Sequence, residues 1–415
     1  MAAETSAKHS IPNLDGWPGL TGVFLFACMV IIARRPDAIF YPQFYTEDGQ
    51  KWFADAYNMG WWRPLFQTHF GYFQTLPRLV AALALLLPLH SAPLVMNLIA
   101  ILLQAVAAVL LMSSRSSGWG GVRFRAALVA IYLALPNNFE IGTGITESQW
   151  ILALIAALLV VGSIPHTYKG KVFDVAVLTM GGLTGPFCLP LLLVASVVYW
   201  QRRDSWRKAQ LCILGLAGLI QLCALLIVDP AGRHPTTLGA NPELFIRILS
   251  GQVYLGTLLG HNGLSLRPGR SAFLFLICVA ILGTVLMANC AAKASPNLRL
   301  FLAFSTILLG LSLASPMAKW QELAGAPAIR YWFFPTLAFA WSLLWCVQSR
   351  SQLLQISSGF LLFLMCVGVV RDFRHPAYTD EHFAQQLRRL ESASPGTEIT
   401  IPENPPGWSL RLVKR

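Results

Sequence analysis

The chain has 415 residues, of which 55% are hydrophobic and only 12% are charged. Soluble globular domains carry about 25% charged residues, so a soluble chain of this length could not cover its own surface, and a soluble enzyme is excluded. The net charge of +12 is what the cytoplasmic loops of a membrane protein supply. It therefore gives no reason to expect nucleic acid as a partner.

Apolar runs alternate with loops that contain Arg and Lys, which is typical of membrane-spanning helices and not of an outer-membrane barrel. The predicted fold class is an all-α polytopic membrane protein with about 11 transmembrane helices. The predicted spans are 18–33, 92–112, 126–139, 149–164, 172–185, 186–200, 211–228, 271–288, 299–315, 331–348 and 353–370. The run 79–89 is too short to cross and is predicted to be a re-entrant or interfacial helix.

The basic loops predict how the chain is threaded. With the N-terminus in the cytoplasm, the loops around 115–125 and 201–208 place their Arg and Lys residues inside, as the positive-inside rule requires. An odd number of spans then puts the C-terminal tail, 371–415, outside a transmembrane domain of residues 1–370. The predicted location is a bacterial inner (plasma) membrane. Several cations of the first outer loop, 34–91, break the rule, so either the first span is inverted or they meet an anionic group.

The first outer loop contains an acidic pair, Glu47 and Asp48. Thr46 is predicted to cap a helix that has both carboxylates in its first turn. A general base for an acceptor hydroxyl needs an ionised, oriented carboxylate at the membrane surface, so Asp48 and Glu47 are the candidate catalytic residues. Alternatively, both only stabilise the first turn, with Lys51 pairing with Asp48 and Asp55.

Two further carboxylates, Glu140 and Glu147, lie at the predicted outer junction after the third span, where acidic groups usually face a cavity or a partner. Ordinary loop polarity explains them equally well. The string Gly181-Gly-Leu-Thr-Gly-Pro186 must interrupt a helix. Such a break either lines a cavity or is a simple hairpin.

Arg330 is the best candidate for binding a phosphate, because a guanidinium donates two hydrogen bonds to two oxygens. Tyr331 follows it directly, and Lys319 and Arg78 are further outer cations. The alternative for Arg330 is contact with lipid headgroups. His69 is a weaker substrate-binding candidate, since a lone histidine among aromatic residues is more often packed than reactive.

Several local strings resemble a bacterial group of membrane proteins related in type to O-antigen-modifying glucosyltransferases. They are Tyr45-Thr-Glu-Asp-Gly49, Gly71-Tyr-Phe-Gln-Thr-Leu-Pro-Arg78, Leu183-Thr-Gly-Pro186, Arg330-Tyr331 and Pro402-Glu-Asn-Pro-Pro-Gly-Trp408. The order of one span, an acidic outer loop and a many-span bundle likewise resembles the GT-C superfamily of glycosyltransferases, which use polyprenyl-phosphate sugars. The resemblance implies a GT-C-like bundle with interfacial helices in the first outer loop.

The resemblance also implies roles for these residues. Glu47 or Asp48 would activate the acceptor hydroxyl, Glu140 or Glu147 would be the second outer acid, and Arg330 the late-span arginine. The implied partners are a polyprenyl-phosphate-linked sugar donor, a glycan or glycolipid acceptor and membrane lipids. No cofactor is certain, and a divalent cation (Mg²⁺ or Mn²⁺) stays open. A transporter or flippase of lipid-linked sugars, or a non-catalytic envelope assembly subunit, are the alternatives.

The charge distribution predicts the orientation of three segments. Single cysteines in the loops 115–125 and 201–208 should react with a membrane-impermeant thiol reagent only from the cytoplasmic side, and cysteines after Arg371 only from outside. Labelling in right-side-out and inverted vesicles measures this. Tail cysteines that react only from the cytoplasmic side would overturn the threading.

Overall fold

Helices dominate the structure, a computed structural model that describes residues 16–227, 237–261, 270–315 and 319–415. It is mostly helical (73%) with few strands, so the prediction of an all-α membrane protein is confirmed at that level. The N-terminal segment 1–15, predicted to be cytoplasmic, lies outside the described residues.

The described elements run in the following order. The helices are α1 (Trp17–Arg34), α2 (Asp37–Phe40), α3 (Ala54–Met59), α4 (Thr75–Ala84), α5 (Ala92–Met112), α6 (Val122–Ala134), α7 (Ser148–Val161), α8 (Tyr168–Gly182), α9 (Cys188–Arg202), α10 (Ser205–Ile227), α11 (Pro242–Ile246), α12 (Gly256–Leu259), α13 (Arg270–Lys293), α14 (Pro296–Ala314), α15 (Trp320–Leu323), α16 (Phe333–Cys346), α17 (Gln352–Asp372) and α18 (Phe383–Ser392). π-Helical turns cover Asp48–Phe53 and Arg247–Leu255, and the main 3-10 turns are Phe139–Ile141 and Ala326–Trp332. The strands are β1 (Thr68–His69), β2 (Tyr72–Phe73), β3 (Glu398–Glu403) and β4 (Trp408–Val413).

Six helices of the described chain are long and apolar enough to cross a membrane, namely α1, α5, α10, α13, α14 and α17. Each has 18 residues or more. At 1.5 Å per residue they approach or exceed the roughly 30 Å of a bilayer core. These six helices are consistent with a multi-pass membrane protein.

The other five predicted spans coincide with shorter helices, so the count of 11 is not confirmed. α6, α7, α8, α9 and α16 have 13 to 15 residues. Nearly every side chain of α7 and α16 is buried inside the protein. A helix that is apolar on all sides can be a core helix as well as a span, and the sequence alone cannot separate the two.

The short helix predicted at 79–89 is present as α4, but it begins four residues earlier, at Thr75, and ends at Ala84. Arg78, Val80 and Ala81 are buried while Leu79 and Leu83 are exposed. This two-sided pattern is what a helix at an interface needs. Whether it is re-entrant or interfacial stays a prediction.

The C-terminal tail forms a small unit of its own secondary structure. After α17 come α18 and the antiparallel hairpin of β3 and β4, in which Glu398 pairs with Val413 and Glu403 with Trp408. The unit shares a hydrophobic cluster with the first outer loop. Phe383 of α18, for example, packs edge-on against Phe44 with ring centroids 5.0 Å apart. The tail is therefore docked onto the loop that contains the acidic pair.

Candidate functional site

The backbone before the acidic pair is not the helix cap that the sequence predicts. Thr46 has a positive φ of 52°, its hydroxyl has no partner among the described residues, and the helical turn begins only at Asp48. The Thr46 backbone N–H instead donates to the Asn404 carbonyl of the tail, at 2.6 Å. The capping prediction is wrong because a segment distant in sequence supplies the backbone contact there.

Asp48 connects the first outer loop to the loop before α7. Its side chain is buried, with 1% of the residue exposed. It accepts hydrogen bonds from the backbone N–H groups of Ile145 (3.0 Å) and Thr146 (2.9 Å) and from the Thr146 hydroxyl (2.5 Å). Burial raises the pKa of Asp48 to about 7, although these hydrogen bonds oppose the rise. The carboxyl group is thus committed to holding two loops together.

Glu47 is in a different situation, although it is the adjacent residue. It is half-buried, and among the described residues its carboxylate has no hydrogen bond or ion pair. It lies close enough to Glu140, Glu147 and Arg330 to interact with each electrostatically. Glu47 is therefore an available carboxylate at the edge of a charged group, here named the Arg330 cluster: Glu47, Glu140, Glu147 and Arg330.

Arg330 and Glu140 form the ion pair of this cluster, each on a short 3-10 turn. The Arg330 backbone N–H donates to Glu140 Oε2 at 2.8 Å, and its Nη1 donates to Oε1 at 3.4 Å. Burial raises the pKa of Glu140, and the Arg330 charge opposes the rise. A third of the Arg330 side chain stays exposed, and the Tyr331 ring lies 5.2 Å from its guanidinium carbon. The guanidinium thus keeps donors for a further anion.

Glu147 is the buried member of the cluster, directly before α7. Only 3% of the residue is exposed, and its Oε2 has no hydrogen-bond partner in the described chain. Burial raises the pKa of Glu147 to about 8, with Arg330 acting in the opposite direction. At neutral pH Glu147 is therefore mostly a neutral acid, so it does not add to the negative charge beside Glu47.

Glu403 of β3 is a site residue that the sequence analysis did not single out. Its Oε2 accepts a hydrogen bond from the Gln50 backbone N–H at 3.1 Å, and the residue is 1% exposed. Burial, with the nearby Asp48 and Glu47 carboxylates, raises the pKa of Glu403 to about 9. In the sequence, the string around Glu403 shows only a resemblance to a group of bacterial membrane proteins. No local signal shows that it reaches a residue 353 positions earlier.

A second polar group surrounds Trp52. Arg78 Nη1 and Lys51 Nζ both contact Asp55 Oδ2, at 3.1 and 3.0 Å. The Arg78 guanidinium lies 5.1 Å from the centre of the Trp52 ring, and the His69 ring packs edge-on against the same ring. Burial, together with the Lys51 and Arg78 charges, lowers the pKa of His69 to about 4. His69 is thus a packed neutral histidine, and Lys51 pairs with Asp55 alone.

Trp52 also links this group to the acidic pair, because its indole N–H donates to the Thr146 hydroxyl at 2.7 Å, which in turn donates to Asp48. Lys319 lies elsewhere, exposed at the start of α15, where its backbone N–H contacts Glu322. Within the described ranges, Lys319 makes no contact with the Arg330 cluster.

The predicted helix break is confirmed, since α8 ends at Gly182 and α9 begins at Cys188. The residues between the two helices form hydrogen bonds with the start of α4. The Leu183 carbonyl accepts hydrogen bonds from the N–H and hydroxyl of Thr75, and the Thr184 hydroxyl accepts from the Leu76 N–H. The break therefore holds the start of α4, the helix that contains Arg78.

The resemblance leaves a divalent cation as the one candidate cofactor. Within the described part of the chain there is no group of three or more His, Cys, Asp or Glu side chains that could hold a metal ion. The oxygens of Asp48 and Glu140 already accept hydrogen bonds from backbone and guanidinium groups. The positive charge paired with these carboxylates is that of Arg330.

Neither a comparison with protein-family models nor a comparison with curated proteins finds a match to this chain. Its function must therefore be argued from the geometry of the site.

Three buried carboxyl groups predict a pH-dependent stability. Asp48, Glu147 and Glu403 have folded-state pKa values of about 7, 8 and 9 against ordinary values of 3.8, 4.5 and 4.5. Folding therefore takes up protons, and stability is fully present at low pH and lost as the pH rises towards 9. The Tm of the detergent-purified protein should be lower at pH 9 than at pH 6. Glu147→Gln should make this difference smaller, and an unchanged difference would contradict the burial of an ionisable Glu147.

Proposed function

We propose that this chain is an integral membrane glycosyltransferase of the inverting, GT-C type. The donor is a polyprenyl-phosphate sugar, and the acceptor is a cell-envelope glycan or glycolipid on the outer face of the membrane. The Arg330 cluster, with Asp48 and Glu403 beside it, is the proposed active site. The observation that carries the proposal is the position of Glu47, a partly exposed carboxylate beside a partly exposed arginine, with no hydrogen bond or ion pair to any residue that the structure describes.

In the proposed reaction, Glu47 is the general base. Its carboxylate takes the proton of the acceptor hydroxyl as the hydroxyl oxygen attacks the anomeric carbon of the donor. The bond between that carbon and the phosphate oxygen breaks, and the configuration at the carbon inverts. Asp48 is a weaker candidate for this role because all its contacts are internal hydrogen bonds. Its role is to hold the turn on which Glu47 stands.

Arg330 is the proposed partner of the departing lipid phosphate. Charge on the phosphate grows as the sugar leaves, and a fixed guanidinium stabilises it without reorganisation. Glu140 holds Arg330 through one hydrogen bond from its backbone N–H and one from its guanidinium Nη1. A third of the side chain is exposed, and the remaining guanidinium N–H groups are the proposed donors to the phosphate oxygens. Arg78 is a less accessible alternative, since its side chain is fully buried against Asp55.

The surrounding rings suit a sugar substrate. Tyr45 and Tyr72 lie close enough to the cluster carboxylates to interact with them electrostatically, and the Tyr331 ring lies 5.2 Å from the Arg330 guanidinium carbon. Carboxylates accept hydrogen bonds from sugar hydroxyls, and aromatic rings present flat apolar faces. Both features support a carbohydrate-binding role, which a non-catalytic envelope subunit does not need.

Substitution of the acidic pair separates a base from a structural carboxylate. Glu47→Gln should insert normally, because no internal contact is lost, and should reduce transfer by ~10²–10⁴-fold, the usual effect of losing a general base. Asp48→Asn should lower the Tm of the protein, because an amide nitrogen would face backbone N–H donors. Transfer by purified protein in detergent, with extracted lipid-linked donor, measures the first effect.

Detergent has no separate compartments, so transfer there also distinguishes an enzyme from a flippase of lipid-linked sugars. Mass analysis of surface glycans from a deletion strain that carries each variant is the matching test in cells. Near-normal transfer by Glu47→Gln, Asp48→Asn and the double variant would remove the acidic pair from the active site.

Arg330→Lys tests the phosphate contact. Lysine keeps the charge but loses the planar pair of donors. If Arg330 binds the donor phosphate, the substitution should therefore weaken binding of the lipid donor. An arginine that only contacts headgroups tolerates lysine. The KM for the donor should rise in Arg330→Lys and not in the control Arg350→Lys, an exposed position. Equal and small effects at both positions would exclude Arg330 from the site.

A further inference from the structure

We infer that the C-terminal hairpin is a working part of this site, and that Glu403 is the positioning residue for the turn that contains Glu47 and Asp48. The inference rests on the proposed function for what the turn does. Its structural basis is independent of that function, since it consists of contacts between the tail and the first outer loop. Three sets of contacts carry it.

The first set fixes the hairpin to the loop. The Asn404 N–H donates to the Phe44 carbonyl at 3.2 Å, and the Asn404 carbonyl accepts from the Thr46 N–H at 2.6 Å. On the far strand, the Asn58 side chain donates to the Arg411 carbonyl (2.8 Å) and accepts from the Val413 N–H (3.0 Å). The hairpin therefore contacts the loop both before the helical segment 48–59 and near the end of that segment.

The second set acts on the turn itself. Glu403 Oε2 accepts a hydrogen bond from the Gln50 N–H and also interacts with the Gly49 N–H. The first N–H groups of a helical turn have no partner within it, and Thr46 does not cap them. Glu403 supplies the missing acceptor from the other end of the chain. Contacts at Thr46 and at Gln50 thus bracket the acidic pair on both sides.

The third observation is a close approach that only glycine permits. A Cβ added at Gly49 would lie 2.0 Å from Glu403 Oε2, well inside contact distance. Any larger residue would therefore push the Glu403 carboxyl group away from the turn. The Glu403 carboxyl group therefore occupies the space that a side chain at position 49 would fill, so its position depends on Gly49.

Protonation makes this arrangement compatible with a catalytic base. The charged groups that face Glu403 are Asp48 and Glu47, so an ionised Glu403 would repel both. Burial raises the pKa of Glu403 to about 9, and at neutral pH the group is a neutral acid. A neutral acid accepts the Gln50 hydrogen bond without adding a charge beside Glu47.

The first experiment compares Glu403→Ala with Glu403→Gln in the transfer assay. Alanine removes the acceptor, and misplacement of the turn should reduce kcat by ~10–10²-fold. Glutamine keeps an acceptor and resembles the neutral acid in shape, so it should retain kcat within about threefold, an effect of less than 1 kcal/mol. The matched control is Glu398→Ala at the exposed end of the same strand, which should behave as the unmodified protein.

The pH profile separates positioning from a general loss of structure. In the unmodified protein, transfer should fall as the pH rises through about 9, because ionised Glu403 then repels Glu47 and Asp48. Glu403→Gln cannot ionise at this position, so its fall should be smaller and should keep only the part caused by ionisation of Asp48 and Glu147. Equal kcat in Glu403→Ala and the unmodified protein, or an identical alkaline limb in Glu403→Gln, would overturn the inference.

Gly49→Ala keeps the test decisive if Glu403→Ala does not fold. The added methyl group would lie 2.0 Å from Glu403 Oε2 and 2.9 Å from Phe44 Cγ. It therefore displaces the Glu403 carboxyl group and presses on the Phe44 ring, and it should reduce kcat at least as much as Glu403→Ala. Unchanged kcat in Gly49→Ala would contradict the inference. Failure of the proposed function looks different, since the unmodified protein would then transfer no sugar, and failure of the base assignment would leave Glu47→Gln with normal transfer.

Discussion

The Asp48 carboxyl group is the contact on which the arrangement of the site depends. It accepts three hydrogen bonds from Ile145 and Thr146 and so joins the first outer loop to the segment that contains Glu140 and Glu147. Desolvation of this carboxyl group is costly, and the three donors offset part of the cost. Because Asp48 is held from this side and the hairpin holds the turn from the other, Glu47 is left as the member of the pair with an unused carboxylate.

Charge balance explains how so many acidic side chains can lie together. Arg330 neutralises Glu140 directly, while burial keeps Glu147 and Glu403 mostly protonated at neutral pH. The cluster therefore holds little net charge despite its composition. An excess of negative charge would repel a lipid phosphate, whereas a balanced site with one partly exposed guanidinium can accept it.

Part of this could be predicted from the sequence. Placing Glu47, Glu140, Glu147 and Arg330 on one side of the membrane was enough to expect that they converge, and the structure brings them into one cluster. Thr46 was misassigned because local capping preferences do not include a carbonyl from Asn404. Glu403 was missed for the same reason. The helices α7 and α16 show the third limit, since composition alone does not tell whether an apolar helix faces lipid or protein.

The pairing of the tail with the first outer loop has a consequence for biosynthesis. Glu403 is made 353 positions after Gln50, yet Glu403 and the adjacent Asn404 complete the backbone contacts of the loop that contains Gln50. During synthesis, the first outer loop lacks these backbone contacts until the helices between it and the hairpin have been made. A chain that stops early therefore leaves the ribosome with its helices in place but without an ordered acidic turn. Under the proposed function, only molecules synthesised through the β3–β4 hairpin acquire activity, because Glu403 and Asn404 belong to it.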